Sequence, residues 1–313
     1  MKLNGGRTLA MLVLAQAVCA PAAEIPCASA ESMDGLMNTW TRDFTAQHPD
    51  TPARVTLRTK FSAEAFDAFL RGEVQVAPFS RELFPAERTR YIAKFGVEPR
   101  LVPIATGSRA TKGGTHAIAI FVNAANPLAQ LTLDQLRAVL VRDGGITTWG
   151  QLGLTGDWAS KKITVHGMVH RRETGNPPGV VNFIEQRLLA GRTWRDDLSE
   201  HLDIPGGPQA LEQIVRAVAA DAGALGYSGF AYAVPGTKTL LLAETAAGPF
   251  FAGTNAEVAR RDYPLTRTLY LCAPREPDDA TRDFIRYVLG PAGQAAIGAD
   301  AGHFFPLTAA PHN

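Results

Sequence analysis

The 313-residue chain has three cysteines, no hydrophobic run long enough to cross a membrane and no excess of either charge. Each shortage removes a class of protein. Its 31 Lys+Arg and 30 Asp+Glu leave a net charge of +1, so the positive excess that grips nucleic-acid phosphates is missing. No Cys-x-x-Cys pair and no zinc-like Cys/His spacing occurs, which leaves no metal site to name. His166 and His170 are four apart, but on a strand running into a loop that spacing does not put two imidazoles on one face. Neither phosphate-loop nor dinucleotide fingerprint is present; Gly113-Gly114 and Gly206-Gly207 are loop glycines. The segment Gly226-Tyr-Ser-Gly-Phe230 lacks the last glycine of a serine-hydrolase elbow and has no helix signal behind it. No catalytic residue, metal ligand or cofactor is therefore assigned, and the chain is read as a non-enzyme.

What is present describes a folding chain. Hydrophobic residues make up 46% and charged residues 19%, and at roughly 150 residues per domain the length predicts two units. Lys2 and Arg7 precede the apolar run Leu9–Val18, and Ala20-Pro21-Ala22 follows. This is the pattern of a cleaved secretory signal peptide over 1–22. Gln16 puts a polar residue upstream of Cys19 where lipoprotein signals carry an aliphatic one, so lipidation is not the reading adopted. Export to the periplasm or medium leaves Cys27 and Cys272 as the mature cysteines. An oxidising compartment permits a bridge, and two buried thiols in strands are an equal alternative.

The mature chain alternates short apolar strands with amphipathic helices, as α/β proteins do. Helices are expected at 33–47, 63–71, 132–140, 180–190, 208–220 and 279–289. Strands are expected near 54–58, 74–79, 98–106, 116–123, 163–168, 225–228, 239–243 and 266–273. Thr132-Leu-Asp-Gln135 reads as a capping box, and Asp278 as a helix cap. The acidic pairs Asp196-Asp197 and Asp278-Asp279 are read as helix starts, where the dipole favours them.

One succession of segments is more specific. His116-Ala-Ile-Ala-Ile-Phe-Val-Asn123 runs into Asn126-Pro127-Leu128, then Leu131–Leu140, then Thr148-Trp149-Gly150-Gln151-Leu152-Gly153. Ile163-Thr-Val-His-Gly167 and Gly223-Ala-Leu-Gly-Tyr-Ser-Gly229 follow in order. From about Ala28 to Pro306 the chain resembles the PstS-like periplasmic phosphate-binding proteins of bacterial ABC uptake systems. The resemblance implies an α/β, two-lobed periplasmic-binding-protein fold of type 2. Each lobe would be a mixed sheet flanked by helices, joined by a two-strand hinge that closes on a ligand. Lobe 1 would comprise 24–115 plus 235–313, and lobe 2 residues 116–234, with crossings near 116–123 and 229–240.

The same resemblance implies four ligand loops, and here the sequence departs. Ser29-Ala-Glu-Ser32-Met stands for the first loop and keeps Ser32. Lys60-Phe-Ser62-Ala-Glu64 stands for the second and keeps Ser62, but loses both flanking glycines. Ala77-Pro-Phe-Ser80-Arg81-Glu82 keeps Ser80 and Arg81. His170-Arg171-Arg172-Glu173-Thr174-Gly175-Asn-Pro-Pro178 stands for the fourth, with Arg171 or Arg172 as guanidinium and Thr174-Gly175 as the hydroxyl-glycine pair. Each of Ser32, Ser62 and Ser80 is also read as a plain helix cap, Arg81 as a partner of Glu82 or Glu87, and the fourth loop as a solvated basic loop. The expected function is capture of phosphate or a phosphate-like organic anion by a monomer that serves an ABC permease. The alternative is a non-transport sensor or protein-interaction module on the same scaffold.

Overall fold

The protein is described by a computed structural model over residues 24–170 and 176–307. The expected signal peptide lies outside these residues. Among them, no helix is long and apolar enough to cross a membrane.

The first lobe is organised by a sheet with a core on each face. Strands Ile25–Ala30 and Ala53–Thr59 pair in parallel, and Ala28 N–H donates to Val76 O at 2.8 Å to join them to the next segment. That segment enters an antiparallel sheet in the order Phe305–Pro306, Leu101–Thr106, Thr268–Cys272, Ala77–Phe79. The helix Asp34–Gln47 buries Leu36, Met37, Trp40 and Phe44 on one face, the period expected from the sequence. With Phe284 and Ile297 from the C-terminal helices these form one core. Trp40 Nε1 donates to Gly293 O at 2.8 Å inside it. The opposite face is covered by the helices Ser62–Arg71 and Pro85–Phe95, whose Phe66, Phe69 and Tyr91 form a second core.

This layering decides the state of the cysteines. Cys27 bridges to Val76 and packs with Trp40, while Cys272 pairs with Ala77 and packs with Phe66. Val76 and Ala77 are consecutive, so their side chains leave opposite faces, and the two sulfurs follow them. Both thiols are free and fully buried. Burial raises both well above the ordinary thiol value, Cys272 to about 12, so neither is a ready nucleophile.

The second lobe is built on a five-stranded mixed sheet, ordered Thr237–Thr239, Ile118–Asn123, Ala224–Gly229, Thr164–Met168, Ser199–His201. The pairings along it are antiparallel, antiparallel, parallel and parallel. The segments that carried the family resemblance turn out to hold this lobe together. Asn123 Nδ2 donates to Val218 O and Ala219 O at 3.1 and 2.9 Å. The Thr132 hydroxyl accepts from Gln135 N at 3.1 Å, while Gln135 Oε1 accepts from Thr132 N at 3.0 Å. Trp149 is fully buried and donates to Gly223 O at 3.1 Å. A Cβ on Gly150 would stand 2.2 Å from Ala159 O, which leaves glycine as the residue that fits there.

Several expected elements change. The strand expected over 74–79 is regular only at Ala77–Phe79, and the helices Pro85–Phe95, Asn255–Arg260 and Pro291–Ala299 were not anticipated. The helix expected over 180–190 is α-helical at Gly179–Ile184 and becomes a π turn at Glu185–Leu189. Asp196 and Asp197 occupy a turn and not a helix start; Arg142 and Arg195 each reach one of them at 2.5 Å. The Asp278 cap holds, accepting from Thr281 N at 2.7 Å.

Two chain segments cross between the lobes side by side. Gly107 N–H donates to Arg267 O at 2.8 Å, and Ile118 N–H donates to Leu265 O at 3.0 Å. Leu240, Leu242, Val258, Tyr263 and Leu265 all belong to the core of the second lobe. We therefore place the return crossing at Thr266–Arg267, about thirty residues beyond the expected boundary of 235.

Two measurements test this packing. In the chain from residue 23 onward, both thiols should react with a thiol reagent only as the protein unfolds, with no mass change on reduction. Replacing Trp149→Phe removes a buried hydrogen bond and ring volume, and should lower unfolding stability by about 2 kcal/mol or more in urea titrations.

Candidate functional site

The crossing segments form the floor of a cleft of about 920 Å³ between the lobes. Ser32, Ser62 and Ser80 all line it, so three loops distant in sequence do converge. Arg171, Arg172, Thr174 and Gly175 lie outside the described residues; their neighbours Asn176, Pro177, Pro178 and Gly179 line the second lobe's side.

None of the three serines caps its helix. Ser32 sits in a 3-10 turn at Glu31–Met33, and the cap position before Asp34–Gln47 is Met33. Ser62 is the first residue inside its helix, with Phe61 at the cap position and no side-chain cap. No side chain caps the start of this helix among the described residues, and Ser62 and Ala63 line the cleft, an arrangement that favours anions. Ser62 Oγ accepts from Ser80 N at 3.3 Å, and Ser80 O accepts from the Thr115 hydroxyl. A chain of hydrogen bonds thus ties the second and third loops to the hinge.

Arg81 is occupied. Its guanidinium grips Glu87 in a fork at 2.7 and 2.6 Å, both side chains being largely buried, and it stacks 3.7 Å from the Phe84 ring centre. Of the two partners expected for its charge, Glu87 takes the fork and Glu82 contributes only its carbonyl, at 3.0 Å.

The residue that sequence reading missed is Arg267. Only 3% exposed, it lines the cleft from the return crossing. Its Nη2 stands 3.5 Å from Glu82 Oε2, a long contact, and its Nε has no partner among the described residues. A buried guanidinium N–H without an acceptor is costly. The available signal was an arginine just ahead of the strand Thr268–Cys272, in Leu265-Thr-Arg-Thr-Leu-Tyr-Leu271.

Beside it stands His116, 2% exposed, with neither ring nitrogen hydrogen-bonded among the described residues. Burial and then the charge of Arg267 lower it to about 4, so the imidazole is neutral at pH 7. The carbonyls of Gly113 and Gly114 pull the other way from beyond hydrogen-bond geometry. A Cβ on Gly229 would lie 2.5 Å from the ring, so the glycine makes room for it. Tyr232 OH accepts from Gly113 N at 3.0 Å and donates to Gln209, fixing the hinge loop over the second lobe. Asp203 also lines the cleft, with one oxygen accepting from Ala210 N at 2.8 Å. No group of three or more His, Cys, Asp or Glu suited to a metal ion occurs among the described residues. His166 instead meets His201, ring nitrogens 3.1 Å apart.

The family description "PBP superfamily domain" matches residues 16–292, most of the chain. The protein belongs to the PBP superfamily. The phosphate-binding protein PstS of Pseudomonas aeruginosa is 28% identical to it over 289 residues, 89% of this chain and 81% of that protein. An ABC-type phosphate transport receptor from Vibrio cholerae superposes with a TM-score of 0.55 at 20% identity, covering 90% of this chain and 99% of that one. PstS from Borrelia burgdorferi gives 0.59 at 14% identity, covering 92% and 100%. The two-lobed type 2 PBP fold expected from the sequence is the fold of this superfamily member.

His116 gives a pH signature. The unfolded ring titrates near 6.5 and the folded ring near 4, so the unfolded state binds the extra proton between them. This contribution to stability should be complete above pH 6.5 and fall away as pH drops toward 4. His166 and His201 are also lowered by burial, so the diagnostic is a difference. Urea midpoints should fall less steeply from pH 7 to 4.5 in His116→Gln than in the parent protein.

Proposed function

We propose that this protein is an exported solute-binding protein that captures a small anion, phosphate or a phosphate-like organic anion, for ABC-type uptake. The signal-peptide pattern at 1–22 supports export, and the ligand named for the relatives, phosphate, supports the anion. One observation carries the reading: the guanidinium of Arg267, buried at the hinge and lining the cleft, has an Nε–H with no acceptor among the described residues. An anion seated there receives charge-assisted hydrogen bonds in a place shielded from water. The hydroxyls of Ser32, Ser62 and Ser80 and the free N–H groups of the helix Ser62–Arg71 supply further donors from the first lobe. Arg171 or Arg172, with Thr174 and Gly175, would supply the donors of the second lobe when the hinge closes. The protein works as a monomer on this reading and does no chemistry on its ligand.

Net charge near zero is compatible with this role, because such a site draws on local dipoles and a few oriented donors. Isothermal titration of phosphate and sulfate into protein refolded from denaturant, and so stripped of ligand, is the test. Arg267→Ala should weaken the bound anion about ten- to hundredfold, with Arg267→Lys recovering part of the loss, and Arg171→Ala with Arg172→Ala should also weaken it. Undiminished binding in Arg267→Ala would remove the basis of this reading.

A further inference from the structure

Four oxygens removed from water need many donors, and several of the candidates here are already committed. The Thr115 hydroxyl gives its one hydrogen to Ser80 O, and the Tyr232 hydroxyl gives its own to Gln209. Arg81 is held by Glu87. Pro177 and Pro178, on the second lobe's wall, have no N–H to offer. Among the described residues, the lining keeps Arg267 at the floor and the hydroxyls of Ser32, Ser62 and Ser80 as donors, with Lys60 and Lys112 beside them.

Part of the lining is apolar. Phe84 and Phe304 present buried rings from the first lobe, and Met168 and Val180 face them from the second. Phe61 stands where the resemblance leads one to expect a glycine. It lines the cleft with 56% of its surface still exposed, among the most open large apolar side chains of the described residues. Lys60 Nζ lies 5.4 Å from the centre of that ring. An exposed phenyl ring at a cleft contributes nothing to an inorganic ion, whereas it gains from covering an apolar group.

We propose that the site recognises an organic phosphomonoester with an apolar substituent of about aromatic size, in preference to inorganic phosphate. This rests on the anion-binding reading above. The phosphoryl end lies against Arg267, neutral His116 accepts a hydrogen bond from a ligand hydroxyl or bound water where one is present, and the substituent packs on Phe61. Phe61 is thus a specificity residue, acting through contact area.

Titration of inorganic phosphate, methyl phosphate and phenyl phosphate into the refolded full mature chain tests this at one pH. Phenyl phosphate should bind about tenfold or more tighter than methyl phosphate, the fold-change that burying one ring implies, and tighter than inorganic phosphate. Phe61→Ser, a change at an exposed side chain, should cut the phenyl-to-methyl ratio about threefold or more. Inorganic phosphate binding as tightly as phenyl phosphate overturns the preference and leaves the anion site standing. An unchanged ratio in Phe61→Ser overturns the role given to that ring. If none of the three anions binds, the anion reading itself fails and this inference fails with it.

Discussion

Everything distinctive in this molecule depends on two chain segments crossing between lobes while hydrogen-bonded to each other. Gly107 N–H to Arg267 O and Ile118 N–H to Leu265 O fix the separation and register of the crossing. That register turns Arg267 and His116 into the floor of the cleft, where both are almost wholly buried. Burial of a guanidinium is tolerable only with acceptors around it. Glu82 supplies one at long range, at 3.5 Å, and Nε has no other among the described residues. The same burial keeps His116 neutral, so Arg267 is the charged member of this pair at the floor.

The electrostatics of the cleft follow from pairing and not from total charge. The Arg81–Glu87 fork is the well-formed buried pair, and Arg267–Glu82 is the loose one. A tight fork satisfies both partners and rigidifies the third loop. A loose pair leaves capacity for a competing anion. The hydrogen-bond chain from Ser62 through Ser80 to Thr115 links the first lobe to the hinge loop, and Tyr232 links that loop to the second lobe. The loop between the crossings is therefore attached to both bodies that hinge closure must bring together.

Much of the scaffold was legible because its causes are local. The capping boxes and caps at Thr132 and Asp278 depend on residues three apart, and they form as read. Apolar spacing located the helix Asp34–Gln47 for the same reason. Local reading failed where a distant partner decides. Asp196 and Asp197 looked like a helix start, but Arg142 and Arg195 draw them into a turn. The short serines looked like caps, yet Ser62 serves the backbone of Ser80, eighteen positions away. Arg267 carried no motif at all; only the strand just after it hinted that its charge must go somewhere buried.

By itself the sequence determined the α/β class, the two-lobed family fold, and that the loops of Ser32, Ser62 and Ser80 would meet at a cleft. Those properties are written in periodicity, caps and an ordered succession of short segments, each of which acts over a few residues. Tertiary structure decided the rest. It set the two cysteines in cores on opposite faces of one sheet, because Val76 and Ala77 alternate. It gave residues 240–265 to the second lobe, because their side chains fill its core. It also chose which arginine is spoken for and which is not, since that depends on whether a carboxylate stands at 2.6 or 3.5 Å. Distances between residues far apart in the chain have no local signature, so only the folded molecule could set them.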